Sequence, residues 1–285
     1  MRFRRYSLGL VLTASVVAAG PFTAPAHAAF PGDNGRIAFF GNGYDEDDND
    51  ISALFSFDPS SDATELLVDG ANWPSWSPDG THLAYSIDDV IRIDGVELTR
   101  GWDPAWSPDG SQIVFIHSSR PNDWELWRIN VDGSGRRQIT HNHTNDWDPS
   151  WGTSGKIAFI RRGEVFTKDP TGGPAVRQTS GNRSSATPNW SPDGTRIAFD
   201  RGGNILKLNF ENHRTRRIKG GKHYLFHPAW SPDGKMIACI DAAFDPKLLI
   251  MRRNGTERQH PDTDTGIAMD EIHVYPDWQP LPPTE

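Results

Sequence analysis

Short apolar runs recur along the chain, and stretches in which apolar and polar residues alternate follow them. The pattern is clearest across residues 113–117, 125–129 and 137–139. A two-residue period of this kind is typical of β-strands that bury one face. No amphipathic helical pattern of useful length occurs after residue 28. The hydrophobic pattern therefore predicts an all-β chain of many short antiparallel strands.

A five-residue segment, Trp-Ser-Pro-Asp-Gly, precedes four of the apolar runs. It occupies residues 76–80, 106–110, 190–194 and 230–234, always with a proline two residues before the tryptophan. A shortened copy lies at residues 149–155. Proline presets φ for a turn, aspartate accepts hydrogen bonds from the turn backbone, and glycine tolerates a positive φ. We therefore interpret the segment as a structural turn whose tryptophan packs where two repeats meet.

The sixth copy of the repeat is divided between the two ends of the chain. Pro276-Asp277-Trp278 has no strand after it, whereas residues 35–39 resemble the strand of a repeat with no tryptophan before it. Successive tryptophans are 30, 45, 39, 40 and 48 residues apart, which is the period of a propeller blade. Residues 29–285 are therefore predicted to form a six-bladed antiparallel β-propeller. Its ring is closed by N- and C-terminal strands that share one blade.

The first 28 residues have the pattern of a secretory signal peptide. Arg2, Arg4 and Arg5 precede an apolar stretch at residues 8–19, and Ala26-His27-Ala28 resembles a cleavage site. The apolar stretch is too short to span a bilayer comfortably, so we expect no membrane span. We expect a bacterial protein that is secreted or held in the cell envelope, periplasmic or extracellular.

The net charge bears on the kind of partner. The formal charge is -8, and removal of three arginines with the signal peptide brings it to -11. Nucleic-acid binding requires a basic face, so we exclude nucleic acid as the main partner.

The repeat Pro-x-Trp-Ser-Pro-Asp-Gly-x-x-Ile-Ala-Phe resembles that of TolB-type β-propellers. Related repeats occur in the propellers of prolyl-oligopeptidase-like enzymes and in some polysaccharide lyases. The resemblance implies a propeller over essentially the whole chain after residue 28. The N-terminal α/β domain of TolB has no counterpart here, which puts a Tol role in doubt. No Gly-x-Ser-x-Gly nucleophile elbow occurs, which argues against a hydrolase.

Loops at one end of the ring, around the central channel, are the expected place for function. The residue three positions before each motif tryptophan should belong to this rim. These residues are Trp73, Asp103, Asp148, Thr187, His227 and Tyr275. Four further histidines of the loops between blades are expected on the same face: His141, His143, His223 and His273. We predict that these ten residues form a binding surface.

Metal binding is a second hypothesis for the same chain. Asp45, Asp47 and Asn49 present oxygen ligands at alternate positions, as a calcium loop does. However, Asp50 and Ser56 stand where an EF-hand has glycine and glutamate, so the loop is not an EF-hand. Histidines and carboxylates around the rim would suit a transition metal instead. Calcium is the preferred candidate cofactor, a transition metal is second, and neither is required by the sequence.

Two functions remain open from the sequence. The preferred one is a monomeric binding or scaffold module that holds a protein, peptide or glycan at the channel mouth, without catalysis. The alternative is a metal-assisted carbohydrate-active enzyme of the polysaccharide lyase type. In that enzyme, histidine and aspartate side chains of the same face would bind the metal or abstract a proton from a uronic acid.

Overall fold

The computed structural model describes residues 32–44, 50–218, 224–243, 246–261, 268–271 and 275–282, and the structural statements below concern these residues. The expected signal peptide lies outside them. The strands are β1 (Asp33–Tyr44), β2 (Asp50–Asp58), β3 (Ala63–Asp69), β4 (Asn72–Trp76), β5 (Leu83–Ile87), β6 (Val90–Ile93), β7 (Val96–Arg100), β8 (Trp102–Trp106), β9 (Gln112–Ser118), β10 (Trp124–Asn130), β11 (Arg137–Gln138), β12 (Asp146–Trp151), β13 (Ile157–Arg161), β14 (Glu164–Asp169), β15 (Gly172–Arg177), β16 (Ser185–Trp190), β17 (Arg196–Arg201), β18 (Ile205–Asn209), β19 (Thr215–Arg217), β20 (Leu225–Trp230), β21 (Met236–Asp241), β22 (Lys247–Arg252), β23 (Ala268–Glu271) and β24 (Asp277–Leu281).

These strands form six antiparallel sheets, which are the six blades of a β-propeller. Blade 1 contains β24, β1, β2 and β3, and blades 2 to 5 contain β4–β7, β8–β11, β12–β15 and β16–β19 in turn. Blade 6 contains β20, β21 and β22. No helix that is long and apolar enough to cross a membrane occurs in the part of the chain that the structure describes.

Closure of the ring by the two ends of the chain is confirmed. Strand β24 pairs with β1, with Trp278 opposite Ile37 and Asp277 opposite Ala38. The hairpin of β1 and β2 is longer than the apolar-rich runs at residues 37–40 and 53–57, where the sequence pattern predicts strands. Strand β23 pairs with the far end of β1, where Tyr44 lies opposite Ala268, and this extra neighbour extends the sheet.

The outer strand of blade 6 is shorter than predicted. The pattern predicts a strand at residues 256–259, but the structure has only an isolated bridge between Ile250 and Gln259. His260 then contacts Asp241 of β21, with 3.2 Å between Nε2 and Oδ2. Pro261 follows and lacks the N–H that a continuing ladder would need.

The side chains of the repeated motif stabilise the turn between the first two strands of a blade. In the first copy the Ser77 hydroxyl donates to Asp79 Oδ1 at 2.5 Å, and the Thr81 N–H donates to the same oxygen at 3.1 Å. The Ser77 Oγ also accepts the N–H of His82 at 2.9 Å. The other three copies repeat these contacts. Gly80 closes the turn at a φ of 69°, which a residue with a side chain rarely adopts.

The motif tryptophans join neighbouring blades. Trp190 is 5% exposed and packs with Ile160 and Val165 of the preceding blade. Trp151 packs in the same way against Val114 and Leu126. The Trp106 indole N–H also donates to the carbonyl of Ser75, one blade back, at 3.0 Å. The tryptophan is therefore one of the large apolar side chains that join successive sheets.

The shortened copy, which lies in blade 4, has glycine in place of the motif serine for a packing reason. Gly152 stands where the other copies have serine. A Cβ at this position would lie 2.5 Å from Cγ and Cδ2 of Trp190, far inside van der Waals contact. The turn hydrogen bond survives without the motif side chains, since the Gly155 N–H donates to the Gly152 carbonyl at 2.9 Å.

We predict that Gly152→Ser, which restores the motif serine, destabilises the protein. Displacement of Trp190 should cost about 1–3 kcal/mol, as overpacking of a core does. Thermal unfolding followed by circular dichroism should show a lower Tm. Gly172→Ser is the matched control, because Gly172 is exposed on β15 and no atom lies within 4 Å of its added Cβ. Equal Tm values for the two variants would contradict this account of the shortened copy in blade 4.

Candidate functional site

The innermost strands of blades 2 to 6 share a bend at the residue before the proline. The bend interrupts the ladder of each blade with a register shift. At this residue the backbone is left-handed, a conformation that is uncommon outside glycine. The residues and their φ values are Trp73 (50°), Asp103 (54°), Asp148 (53°), Thr187 (44°) and His227 (52°). Five of the six predicted rim residues thus share one backbone geometry.

These rim residues surround a cavity at the centre of the ring. It has a volume of about 110 Å³. Its wall contains five rim residues: Asp103, Asp148, Thr187, His227 and Tyr275. The prolines that follow the rim residues complete the wall at that level. The structure therefore brings these five predicted positions together around one channel.

The sixth rim residue, Trp73, contacts Tyr275. Their ring centroids are 6.0 Å apart, and the Trp73 side chain donates a hydrogen bond to the Tyr275 hydroxyl. The His227 ring meets Tyr275 edge-on, with centroids 4.4 Å apart. One side of the channel is therefore aromatic.

The opposite side of the channel is acidic, and its carboxylates link successive blades. The Asp148 N–H donates to the Asp103 carboxylate, and the Thr187 N–H donates to Asp148 Oδ2 at 2.9 Å. Asp200 continues the series, because its Oδ2 accepts the Thr187 hydroxyl at 2.6 Å and the His227 N–H at 3.4 Å. Each polar side chain thus accepts the backbone of the next blade.

In three repeats, a second series of such contacts lies at the residue directly before the motif tryptophan. Ser150 Oγ accepts the Trp190 N–H at 3.3 Å, and Asn189 Oδ1 accepts the Trp230 N–H at 2.9 Å. Across the closure, Asp277 Oδ2 accepts the Trp76 N–H at 2.7 Å. These side chains also line the cavity. The channel wall and the contacts between blades are therefore made by the same residues.

Burial raises the pKa of the channel carboxyls. The pKa of Asp148 is raised to about 6, mainly by burial and further by the charge of Asp200. Burial raises the pKa of Asp277 to about 7 and that of Asp200 above its ordinary value. The pKa of Asp103 is well above its ordinary value because of burial and the neighbouring Asp148. No lysine or arginine is among the described residues that line the cavity, and His227 is the titratable nitrogen base among them.

The remaining predicted site residues are not part of this wall. His141 and His143 are exposed on the segment between β11 and β12 and do not line the cavity. His223 and His273 lie outside the described residues, as do the calcium candidates Asp45, Asp47 and Asn49. Among the residues described, no group of three or more His, Cys, Asp or Glu side chains is arranged to hold a metal ion. The calcium loop stays a prediction.

Two carboxyls were not predicted from the sequence: Asp277, which lines the cavity, and Asp200, which accepts hydrogen bonds from Thr187 and His227 beside it. The signal for Asp277 was present, since a polar residue directly precedes the tryptophan in four of the repeats: Ser75, Ser150, Asn189 and Asp277. Asp200 follows an Ile-Ala-Phe run, and the other repeats gave no reason to place its side chain near the channel.

Comparisons with known proteins agree with this architecture. Residues 99–259 match the PD40 family, described as the TolB beta propeller domain. An uncharacterized protein of Agrobacterium fabrum, Atu1656, is 35% identical over 158 residues, which is 45% of this chain and 54% of the relative. The chain thus spans about half the length of that relative.

Among solved structures, TolB from Acinetobacter baumannii has a TM-score of 0.71 at 20% identity. The match covers 90% of this chain and 68% of that one. An oligogalacturonate lyase in complex with manganese has a TM-score of 0.53 at 14% identity. That match covers 79% of this chain and 78% of the lyase chain. At these identities the likeness concerns the fold alone. Because the family model matches more than half of its length, the chain belongs to the PD40 family of TolB β-propeller domains.

Proposed function

We propose that the protein is a binding module that holds a cationic segment of a partner protein or peptide at its central channel. The observation that carries the proposal is the charge of the wall. Asp103, Asp148 and Asp277 line the cavity, and no lysine or arginine accompanies them there among the described residues. A cationic side chain entering the channel would supply the missing positive charge.

The raised pKa values support this choice of ligand. A carboxyl whose pKa rises on burial has lost hydration that its neighbours do not replace. Asp148 and Asp277 each accept hydrogen bonds from backbone N–H groups, but these bonds offset only part of the free-energy cost of the lost hydration. An ammonium or guanidinium group would stabilise the ionised form and form charge-assisted hydrogen bonds with it. A neutral sugar would leave the charge uncompensated, so a peptide is favoured over a glycan.

The size of the cavity also favours a peptide segment. A volume of about 110 Å³ is smaller than the pockets of roughly 300–1,000 Å³ that usually hold small-molecule ligands. It suits one side chain or a chain end, with the rest of the partner lying outside the mouth. The aromatic side, formed by Tyr275, His227 and Trp73, would contact the apolar part of that side chain.

We place this module outside the cytoplasm, secreted or associated with the cell envelope, and acting as a monomer. The support is the signal-peptide pattern of residues 1–28 together with membership of the TolB propeller family. The lyase alternative has less support. Of its candidate histidines, His141 and His143 do not line the channel, and the lyase neighbour shares the fold at 14% identity.

The channel proposal predicts a charge-dependent affinity. An arginine-containing peptide with capped ends should bind, whereas its citrulline analogue, which is neutral and of similar shape, should not. Asp148→Asn keeps an oxygen that can accept the Thr187 N–H but removes the charge, so we expect about tenfold weaker binding of the arginine peptide. Fluorescence anisotropy of the labelled peptide measures this.

Asp132→Asn is the control for the change in overall charge, because Asp132 lies in the turn between β10 and β11 and does not line the cavity. Its affinity should equal that of the wild type. Equal binding of the arginine and citrulline peptides would overturn the channel proposal.

The channel carboxyls also predict how stability depends on pH. Asp277 has a pKa of about 7 when folded, against an ordinary value of 3.8, so between these values the folded state binds more protons than the unfolded state. Stability contributed by this carboxyl should therefore fall as the pH rises from 4 to 7. The Tm of the wild type should therefore fall between about pH 5 and about pH 8. In Asp277→Asn this fall should be smaller by a few degrees.

The control for this measurement is again Asp132→Asn. The pKa of Asp132 is lowered by its hydrogen bonds to Ser134, so it titrates below this pH range. Its variant should keep the wild-type slope of Tm against pH. If Asp277→Asn has the same slope of Tm against pH as the wild type, the Asp277 carboxyl does not titrate in this pH range.

A further inference from the structure

Three tryptophans outside the repeated motif form a cluster beside the acidic side of the channel. Trp102 and Trp124 meet edge-to-face with ring centroids 4.8 Å apart, and Trp124 and Trp147 are 5.3 Å apart. Trp102 directly precedes Asp103, and Trp147 directly precedes Asp148. The cluster therefore adjoins the part of the rim formed by blades 3 and 4. We call these three residues the tryptophan platform.

The repeat itself does not require the platform. The position four residues before the motif tryptophan holds Trp102 and Trp147 in blades 3 and 4. In the other blades it holds Asn72, Ala186, Phe226 and Val274. Trp124 belongs to a second short pattern, Asn-Asp-Trp, which occurs at residues 122–124 and 145–147. The Trp124 N–H donates to Asn145 Oδ1 at 3.1 Å, and this contact joins the two copies.

The platform is more accessible to solvent than the motif tryptophans other than Trp76, which is itself partly buried. The motif residues Trp106, Trp190, Trp230 and Trp278 are 4–6% exposed, whereas all three platform residues are only partly buried. The indole nitrogens of Trp190, Trp230 and Trp278 are buried without a partner. None of the platform nitrogens is among the buried, unpartnered polar atoms of the described residues. The platform thus has surface available to a ligand.

The chain's own cations cover other aromatic rings. Arg136 lies 4.9 Å from the ring centroid of Trp127, and Lys207 lies 5.9 Å from that of Trp230. Over the described part of the chain, no arginine or lysine occupies such a position above a platform ring. The face of an indole attracts a cation through its quadrupole, and tryptophan does so best among the aromatic residues.

Nearby acceptors favour a cation as the occupant. Asp123, next to Trp124, has a buried Oδ1 without a hydrogen-bond partner. Asp146, next to Trp147, is already held by Arg161 at 2.7 Å from both Nε and Nη2, so it offers no free charge. The Asp123 carboxylate lies one residue from Trp124, so its charge would attract a guanidinium that lies over the indoles.

We propose that the tryptophan platform binds an arginine or lysine side chain of the same partner segment whose cationic group enters the channel. This inference rests on the proposed function and adds a second recognition point outside the channel. The partner should then carry at least two cationic residues, one for the channel and one for the platform. Two linked contacts raise the affinity of a segment above that of either contact alone.

The test compares Trp124→Phe with Trp124→Leu. Both variants keep an apolar side chain, but only phenylalanine keeps an aromatic face. With an end-capped peptide that contains two arginines as the probe, we expect Trp124→Leu to weaken binding roughly fivefold and Trp124→Phe to restore part of the loss. The Tm of each variant, measured alongside, shows whether the fold is retained. Equal weakening by phenylalanine and leucine at unchanged Tm would overturn the cation–π contact.

Asp148→Asn separates this inference from the channel proposal. If Asp148→Asn weakens binding and Trp124→Leu does not, the channel binds the peptide and the platform proposal is wrong. If the wild type fails to discriminate the arginine peptide from its citrulline analogue, both proposals fail.

A neutral oligosaccharide is the third probe. The platform is a glycan site instead if the wild type binds the oligosaccharide, Trp124→Leu abolishes this binding, and Trp124→Leu leaves peptide binding unaffected.

Discussion

The bend in each inner strand, at the residue before its proline, is the constraint on which the ring and its channel both depend. The left-handed backbone at this residue costs of order 1–3 kcal/mol outside glycine. It is least favourable at Thr187, a β-branched residue with a φ of 44°. The cost is offset because the bend lets one blade's side chain accept the N–H of the next, as Asp148 does from Thr187. The same bend places that side chain in the channel wall.

The channel carboxyls therefore have two effects that oppose each other. As hydrogen-bond acceptors they join blades, most directly where Asp277 accepts the Trp76 N–H across the closure between the chain ends. As buried charges they destabilise the folded protein above their raised pKa values. An asparagine could make a similar hydrogen bond without the charge, and Asn189 does so in blade 5. A carboxylate at Asp148 and Asp277 is thus more than the ring requires, which is consistent with a cationic ligand.

The repeat predicted the fold because its residues act locally. The turn contacts of Ser77 and Asp79 involve residues at most five positions apart, and each apolar run pairs with its neighbour in sequence. The rim positions followed from the same period, since the residue three before each tryptophan holds one place in every blade. The role of Asp200 could not be predicted, because it accepts the Thr187 hydroxyl on the neighbouring strand and the His227 N–H of the next blade, contacts that only the folded ring forms. The platform was also missed, since Trp124 meets Trp102 and Trp147 only after three strands have folded into adjacent blades.

Proton release on peptide binding tests most directly whether the channel acts through its uncompensated carboxyls. Isothermal titration calorimetry of the arginine peptide at about pH 6.5, in two buffers with different ionisation enthalpies, measures the protons exchanged. Asp148 and Asp277, with pKa values of about 6 and about 7, are partly protonated at this pH, and a bound cation should lower both values. The account predicts net proton release, because capped peptide ends and arginine do not titrate there. Binding without proton release, or with proton uptake, would contradict it.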